Sequence, residues 1–259
     1  MLAMRQVAKD TYITVADMTI YEHLHLDTVG NDFLEDARVV YGDEGALIIG
    51  DAIISGATYA QAVLPLTERY NTKLLLAVMN PPGDHDRGYP VHAWANGHKN
   101  QIALMFNPDA SVADIAHDLY HAIPHEFAHL AHYQLNPDFG QATLESGRYT
   151  FFRAAIREGV ARCAEFLDLS SQDIQEQQSM YGKDLTNITN ELEALLNASE
   201  GGSSKVWELL YGKIEGLVNP YRIGHYVVSR LAMYYDYDLK TLMSVPLEEY
   251  VNFAQAELT

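Results

Sequence analysis

The chain carries a single cysteine, Cys163, among 259 residues. An intrachain disulfide is therefore excluded, which fits a reducing compartment. Basic residues are also scarce: 17 Lys and Arg stand against 35 Asp and Glu, a formal net charge of −18. A field of that sign repels nucleic acid and anionic membrane, both of which are held by Lys/Arg stripes. It serves solubility and tolerates cationic substrates. No stretch approaches the roughly 18 consecutive apolar residues of a membrane span. Met1-Leu2-Ala3-Met4-Arg5-Gln6 lacks the basic and apolar regions of a secretion signal. The expectation is a cytoplasmic protein with neither a nucleic-acid nor a membrane partner. A Gly-rich phosphate loop, a Gly-x-Ser-x-Gly elbow and internal repeats are missing too. Cys163 lies in the helical run Ala161-Arg162-Cys163-Ala164-Glu165, where a small buried hydrophobe is a better reading than a nucleophile.

What is present is an ordinary globular balance, 48% hydrophobic and 20% charged. The length suffices for a core, as one large domain or two small lobes. Residues 11–21 are rich in β-branched and aromatic types and predict an early strand. Residues 31–70 alternate short apolar runs with glycines. Ala57–Tyr70 has apolar residues at helical spacing, which Pro65 must bend or end. Leu74–Met79 is a continuous apolar run stopped by Asn80-Pro81-Pro82-Gly83 and predicts a central strand. Residues 80–100 read as a polar loop, and Gln101–Phe106 as another strand, closed by Asn107-Pro108.

From Ser111 the period changes. Ser111 and Asp114 form a weak capping arrangement, and Val112, Ile115, Leu119, Ile123, Phe127 and Leu130 recur at spacings of three or four. Pro124 must kink or restart this helix. A second helix is expected from about Thr143 to Leu167, and the chain after Ser170 is mostly helical, with one flexible junction at Gly201-Gly202-Ser203-Ser204. The fold class is α+β. A sheet-containing lobe spans 1–110 and a helical lobe with the candidate metal site spans 111–259, together forming one catalytic unit.

The chemistry concentrates at His125-Glu126-Phe127-Ala128-His129. Two histidines four apart on a helix share one face, one turn apart, where they can hold one tetrahedral ion. Glu126, between them, can take a proton from an activated water. His117, His121, His125 and His129 form a stripe at four-residue spacing, with His132 three further on. The plainer reading of that stripe is a polar helix face with histidine as filler. Catalytic zinc usually has three protein ligands. Glu158, well downstream of His129, can supply the third from a neighbouring helix made approachable by Gly159 and Ala161. Otherwise it pairs with Arg157, Arg162 or solvent. Glu165, two helical turns further on, is a fallback ligand or an acceptor for a zinc-bound imidazole. His85, His92 and His98 match no compact ligand spacing and read as surface histidines.

His125-Glu126-x-x-His129 followed by Glu158-Gly159-x-Ala161 resembles the gluzincin metallopeptidases. More narrowly, it is similar to a bacterial group of predicted zinc-dependent proteases. The resemblance covers roughly residues 74–235. It extends to a Tyr-x-x-Gly element, Tyr221-Arg222-Ile223-Gly224, although Asn219-Pro220 stands before it where a glycine is expected. The resemblance implies a zincin-like fold in which His125, His129 and Glu158 bind Zn2+. It implies that Glu126 is the general base and acid, and that a residue of 221–226 donates to the oxyanion, Tyr221 first, then His225 and Tyr226. It also implies that Gln101–Phe106 is an edge strand before the metal helix, able to pair with an extended peptide. The partner would be a peptide or protein substrate. The alternative is a non-catalytic zinc-stabilised scaffold or binding protein, which has no need of Glu126.

Overall fold

The computed structural model describes residues 6–8, 11–12, 14–15, 33–64, 73–78, 89–97, 99–140, 149–165, 185–197, 220–236 and 238–258. Its contacts divide the chain into two compact units, Met1–Leu130 and Ala131–Thr259. The architecture is mixed α+β, mostly helical, with a small mixed sheet.

In the first unit, strands β1 (Gln6–Ala8) and β2 (Thr11–Tyr12) pair antiparallel. A second sheet has the order β3 (Thr14–Val15), β4 (Lys73–Val78), β6 (Gln101–Phe106), β5 (Val91–Asn96). β6 runs parallel to β4 and antiparallel to β5. It is thus an interior strand, paired along its whole length on both sides. The expectation of an edge at residues 101–106 is corrected: among the described strands the sheet ends at β5 on this side and at β3 on the other. The physical reason lies in burial. Ile102, Ala103, Leu104, Met105 and Phe106 are all buried, and a strand covered on both faces needs apolar residues at every position rather than alternation. β5, Val-His-Ala-Trp-Ala-Asn, is only half-buried beyond Val91. The stretch read as a polar loop therefore contains a strand. β5 turns into β6 through Lys99 and Asn100, whose backbone N–H groups donate to Asn96 O and Gly97 O.

The segment read as short apolar runs forms helix α1 (Phe33–Val63). It breaks only at Gly42, whose φ of 76° and ψ of 171° are open to glycine alone. It ends before Pro65, as the restriction on residues preceding proline requires. The other glycines of α1 make room for a neighbour. A Cβ at Gly45 would stand 3.0 Å from Val112 Cγ2, and one at Gly56 3.1 Å from Ile123 Cδ1. The neighbour is helix α2 (Val112–Leu135), which lies alongside α1 and runs in the same direction.

The second unit contains α3 (Pro137–Gly140), α4 (Thr150–Glu165), α5 (Leu185–Asn197), α6 (Pro220–Ala232), α7 (Leu239–Ser244) and α8 (Leu247–Ala256). A 3-10 turn, Met233–Tyr235, links α6 towards α7. The centre of this unit is the crossing of α4 and α6 at two glycines. A Cβ built on Gly159 would fall 2.2 Å from Gly224 C and O, and one on Gly224 only 1.7 Å from Ala155 O. Ile156, Val160, Val227 and Val228, beside the crossing, are fully buried. Gly159 of the Glu-Gly-x-Ala stretch admits a close helix, and that helix is α6, not the metal helix expected from the sequence. α8 is tied back to α6 by Glu257, which accepts from Arg230 Nε and Nη2 at 3.1 Å each and from Tyr226 Oη at 3.0 Å. Early strand residues beyond those named, residues 143–148 and the Gly201–Ser204 junction lie outside the described residues. Among the described residues, no helix is long and apolar enough to cross a membrane.

Candidate metal centre

Helix α2 is started by the expected cap. Ser111 Oγ accepts the Asp114 N–H at 3.1 Å and donates to Asp114 Oδ2 at 2.6 Å. The apolar stripe Ile115, Leu119, Ile123, Phe127 is fully buried. His117, His121, His125 and His129 are offset from it by two positions, close to half a turn at 100° per residue, so the histidines lie on the side away from the core. Pro124 sits inside the helix and does not end it.

His125 and His129 approach each other closely. Their Nε2 atoms are 3.1 Å apart, with ring centroids at 4.7 Å and planes at 86°. Two nitrogens on one tetrahedral ion, each bound at about 2.0–2.1 Å, stand about 3.3 Å apart, so the observed spacing suits a shared ion. Glu126 is buried, 6% exposed, and a carboxylate oxygen of it lies within 4.8 Å of both imidazole nitrogens. These three residues are the one group of three or more such side chains with metal-ligand geometry found among the described residues. The rings are half-buried, which leaves a path from solvent.

Sequence reasoning missed Asp118. Its carboxylate accepts the backbone N–H of Val91 and so ties α2 to the first residue of β5. Burial raises this carboxyl above its ordinary value, against the pull of His117, the Val91 N–H and His121. Asn107 braces the same corner: its N–H donates to Pro90 O at 3.0 Å, and its carbonyl accepts from Tyr41 Oη of α1 at 2.7 Å. The signal for β5 was available in the apolar run Ala93-Trp94-Ala95 after Val91. For Asp118 there was none, since its partner is a backbone group on a strand distant along the chain.

The remaining candidates belong to the second unit. Glu158 is buried, and its Oε1 accepts from Arg157 Nη2 at 3.1 Å. Glu165 is buried and pairs with Arg162. Tyr221 sits at the exposed start of α6, with Arg222 next to it paired to Glu191 of α5. His225 is buried one residue after Gly224. Desolvation, and then the Arg162 guanidinium, bring its pKa down to about 4, against the smaller opposite pull of Glu165. It is therefore a neutral imidazole at pH 7. Tyr226 is engaged with Glu257. His132 is buried with its ring 4.3 Å from Phe139, a packing role. Burial, and then Glu165, raise the Cys163 thiol to about 12, so it is not a thiolate nucleophile. His92 stands in β5, its ring at 5.7 Å from Tyr89; His85 and His98 lie outside the described residues.

Compared with protein-family models, curated proteins and solved structures, the chain matches none.

Proposed function

We propose that the protein is a zinc-dependent metallopeptidase of gluzincin type, with a zincin-like catalytic unit working in the cytoplasm. The observation that carries this reading is the 3.1 Å approach of His125 Nε2 to His129 Nε2 with the buried Glu126 beside them. In it His125 and His129 would hold Zn2+, with Glu158 as the third ligand that the resemblance implies and Glu165 as the acceptor that would orient a ligand. When bound, the ion supplies a Lewis acid and brings the pKa of water towards neutrality. Glu126 takes the proton of the attacking water and returns it to the leaving amine. Tyr221 donates to the oxyanion, and His225 and Tyr226 are the alternatives. The substrate is an extended peptide that adds to the sheet at β5 rather than at β6. Of the two strands that end the sheet order, β3 and β5, it is β5 whose start Asp118 anchors, two turns before His125.

The testing experiment is Glu126→Gln with a peptide library. Gln is nearly isosteric, so zinc content and fold should persist while hydrolysis is lost. Hydrolysis by Glu126→Gln at the wild-type rate would remove Glu126 as the base. Wild-type protein that holds zinc and cleaves no peptide or amide would favour the scaffold reading.

A further inference from the structure

The helix that carries His125 and His129 repeats the same construction two turns earlier. His117-Asp118-Leu119-Tyr120-His121 places two histidines four apart with an acidic residue after the first. The two rings stand 5.2 Å apart with planes at 77°, against 4.7 Å and 86° for the downstream pair. Spacing and tilt are thus close to those of His125 and His129. The geometry brings two imidazoles together on one face, as a bidentate ligand requires.

The pair is also held. The ring of His121 meets the edge of Tyr120 at 5.5 Å, and Tyr120 stacks on Tyr59 of α1 at 5.9 Å. One imidazole is thereby fixed by a chain of aromatic contacts reaching the neighbouring helix, which lowers the entropy lost on ligation. His117 is exposed and can turn to meet an ion. Asp118 lies within electrostatic reach of both rings, and Asp114 within reach of Asp118, so the local field favours a cation.

We propose that His117 and His121 form a second binding site for a divalent transition-metal ion, solvent-facing and more weakly held than the one at His125 and His129. Imidazole donors select zinc or copper over calcium or magnesium. The site binds without hydrolysing. Asp118, which stands where Glu126 stands downstream, accepts the Val91 N–H and is occupied with holding β5. Among the described residues no third side-chain ligand joins the pair, so water completes the coordination, and the ion exchanges readily. This inference does not depend on the catalytic reading.

The test uses full-length, metal-stripped protein in equilibrium dialysis against zinc alone, with the fold followed by far-UV circular dichroism. The expected result is about two ions per wild-type chain in two affinity classes, each held by imidazole donors. His117→Ala/His121→Ala should lose the weak class and keep the tight one, and His129→Ala should do the reverse. Ala is the best helix former, so neither change should harm α2. His117→Ala alone, at an exposed position, should also lose the weak class, because one imidazole cannot chelate. Wild-type protein binding a single ion that His117→Ala/His121→Ala abolishes would support this pair and instead sink the reading at His125 and His129. Retention of the weak class in the double variant, or a single class unchanged by it, would overturn the proposal.

Discussion

Gly224→Ala should destabilise the protein although alanine is the better helix former. Replacing glycine inside a helix ordinarily gains about 1 kcal/mol. Here the new methyl would stand 1.7 Å from Ala155 O, 2.5 Å from Ala155 C and 3.1 Å from Gly159 N, where ordinary contact begins at 3.4 Å. The nearest approach is half the ordinary distance, and the obstacle is backbone, which has no rotamer to escape into. α4 and α6 must separate, and the contacts of the buried Ile156, Val160, Val227 and Val228 loosen with them. Overpacking of this kind costs about 3 kcal/mol or more at the upper end of its range. The clash therefore exceeds the propensity gain, leaving a net loss of about 2 kcal/mol or more. That corresponds to roughly 4–8 °C in Tm for a chain of this size. Urea denaturation followed by circular dichroism reads it directly. Gly50→Ala in α1 is the control, since nothing lies within 4 Å of its built Cβ; it should be neutral or up to about 1 kcal/mol stabilising. Gly159→Ala should resemble Gly224→Ala, and the double variant should cost less than the sum, because one separation relieves both clashes. If Gly224→Ala were as stable as the parent, the glycine-to-glycine crossing would be refuted.

Glu126→Gln should lower peptide hydrolysis by about 10²–10⁴-fold with zinc retained, whereas His125→Ala, His129→Ala and Glu158→Ala should each lose the tightly bound zinc and thermal stability in elemental analysis and melting scans. His225 is held neutral, with a folded pKa of about 4 against an ordinary 6.5. The unfolded chain then binds more protons between those values, so stability falls as pH drops from about 6.5 towards 4. In metal-stripped protein the urea midpoint should decline over that window, and His225→Asn should flatten the decline; an identical pH profile in the variant would count against a buried neutral imidazole. Gly42→Ala should cost about 1–3 kcal/mol by forcing a side chain into a glycine-only backbone region, although nothing lies near its built Cβ. A calorimetric scan showing no loss there would mean that α1 is unbroken at Gly42.

The metal helix was legible because everything that makes it is local. Ser111 caps a group three positions away, the apolar stripe repeats every third or fourth residue, and the His125–His129 spacing is itself a helical turn. β4 and β6 were legible as apolar runs for the same reason. Their neighbours were not: an apolar run does not say which strands flank it, and β6 proved interior once β5 was seen to pair with it. α1 was hidden by its glycines. Local propensity counts Gly45 and Gly56 as breakers, whereas packing uses their missing Cβ to seat Val112 and Ile123 of α2. Gly159 and Gly224 are visible as two glycines far apart along the chain. That they meet was decided only when α4 and α6 closed on each other. Sequence determined the groups that can ligate and the helix that displays them, since those depend on near neighbours along the chain. The tertiary structure decided which edge is open, which glycines are contacts and which carboxylate anchors a strand, since each depends on partners brought together by folding across long loops.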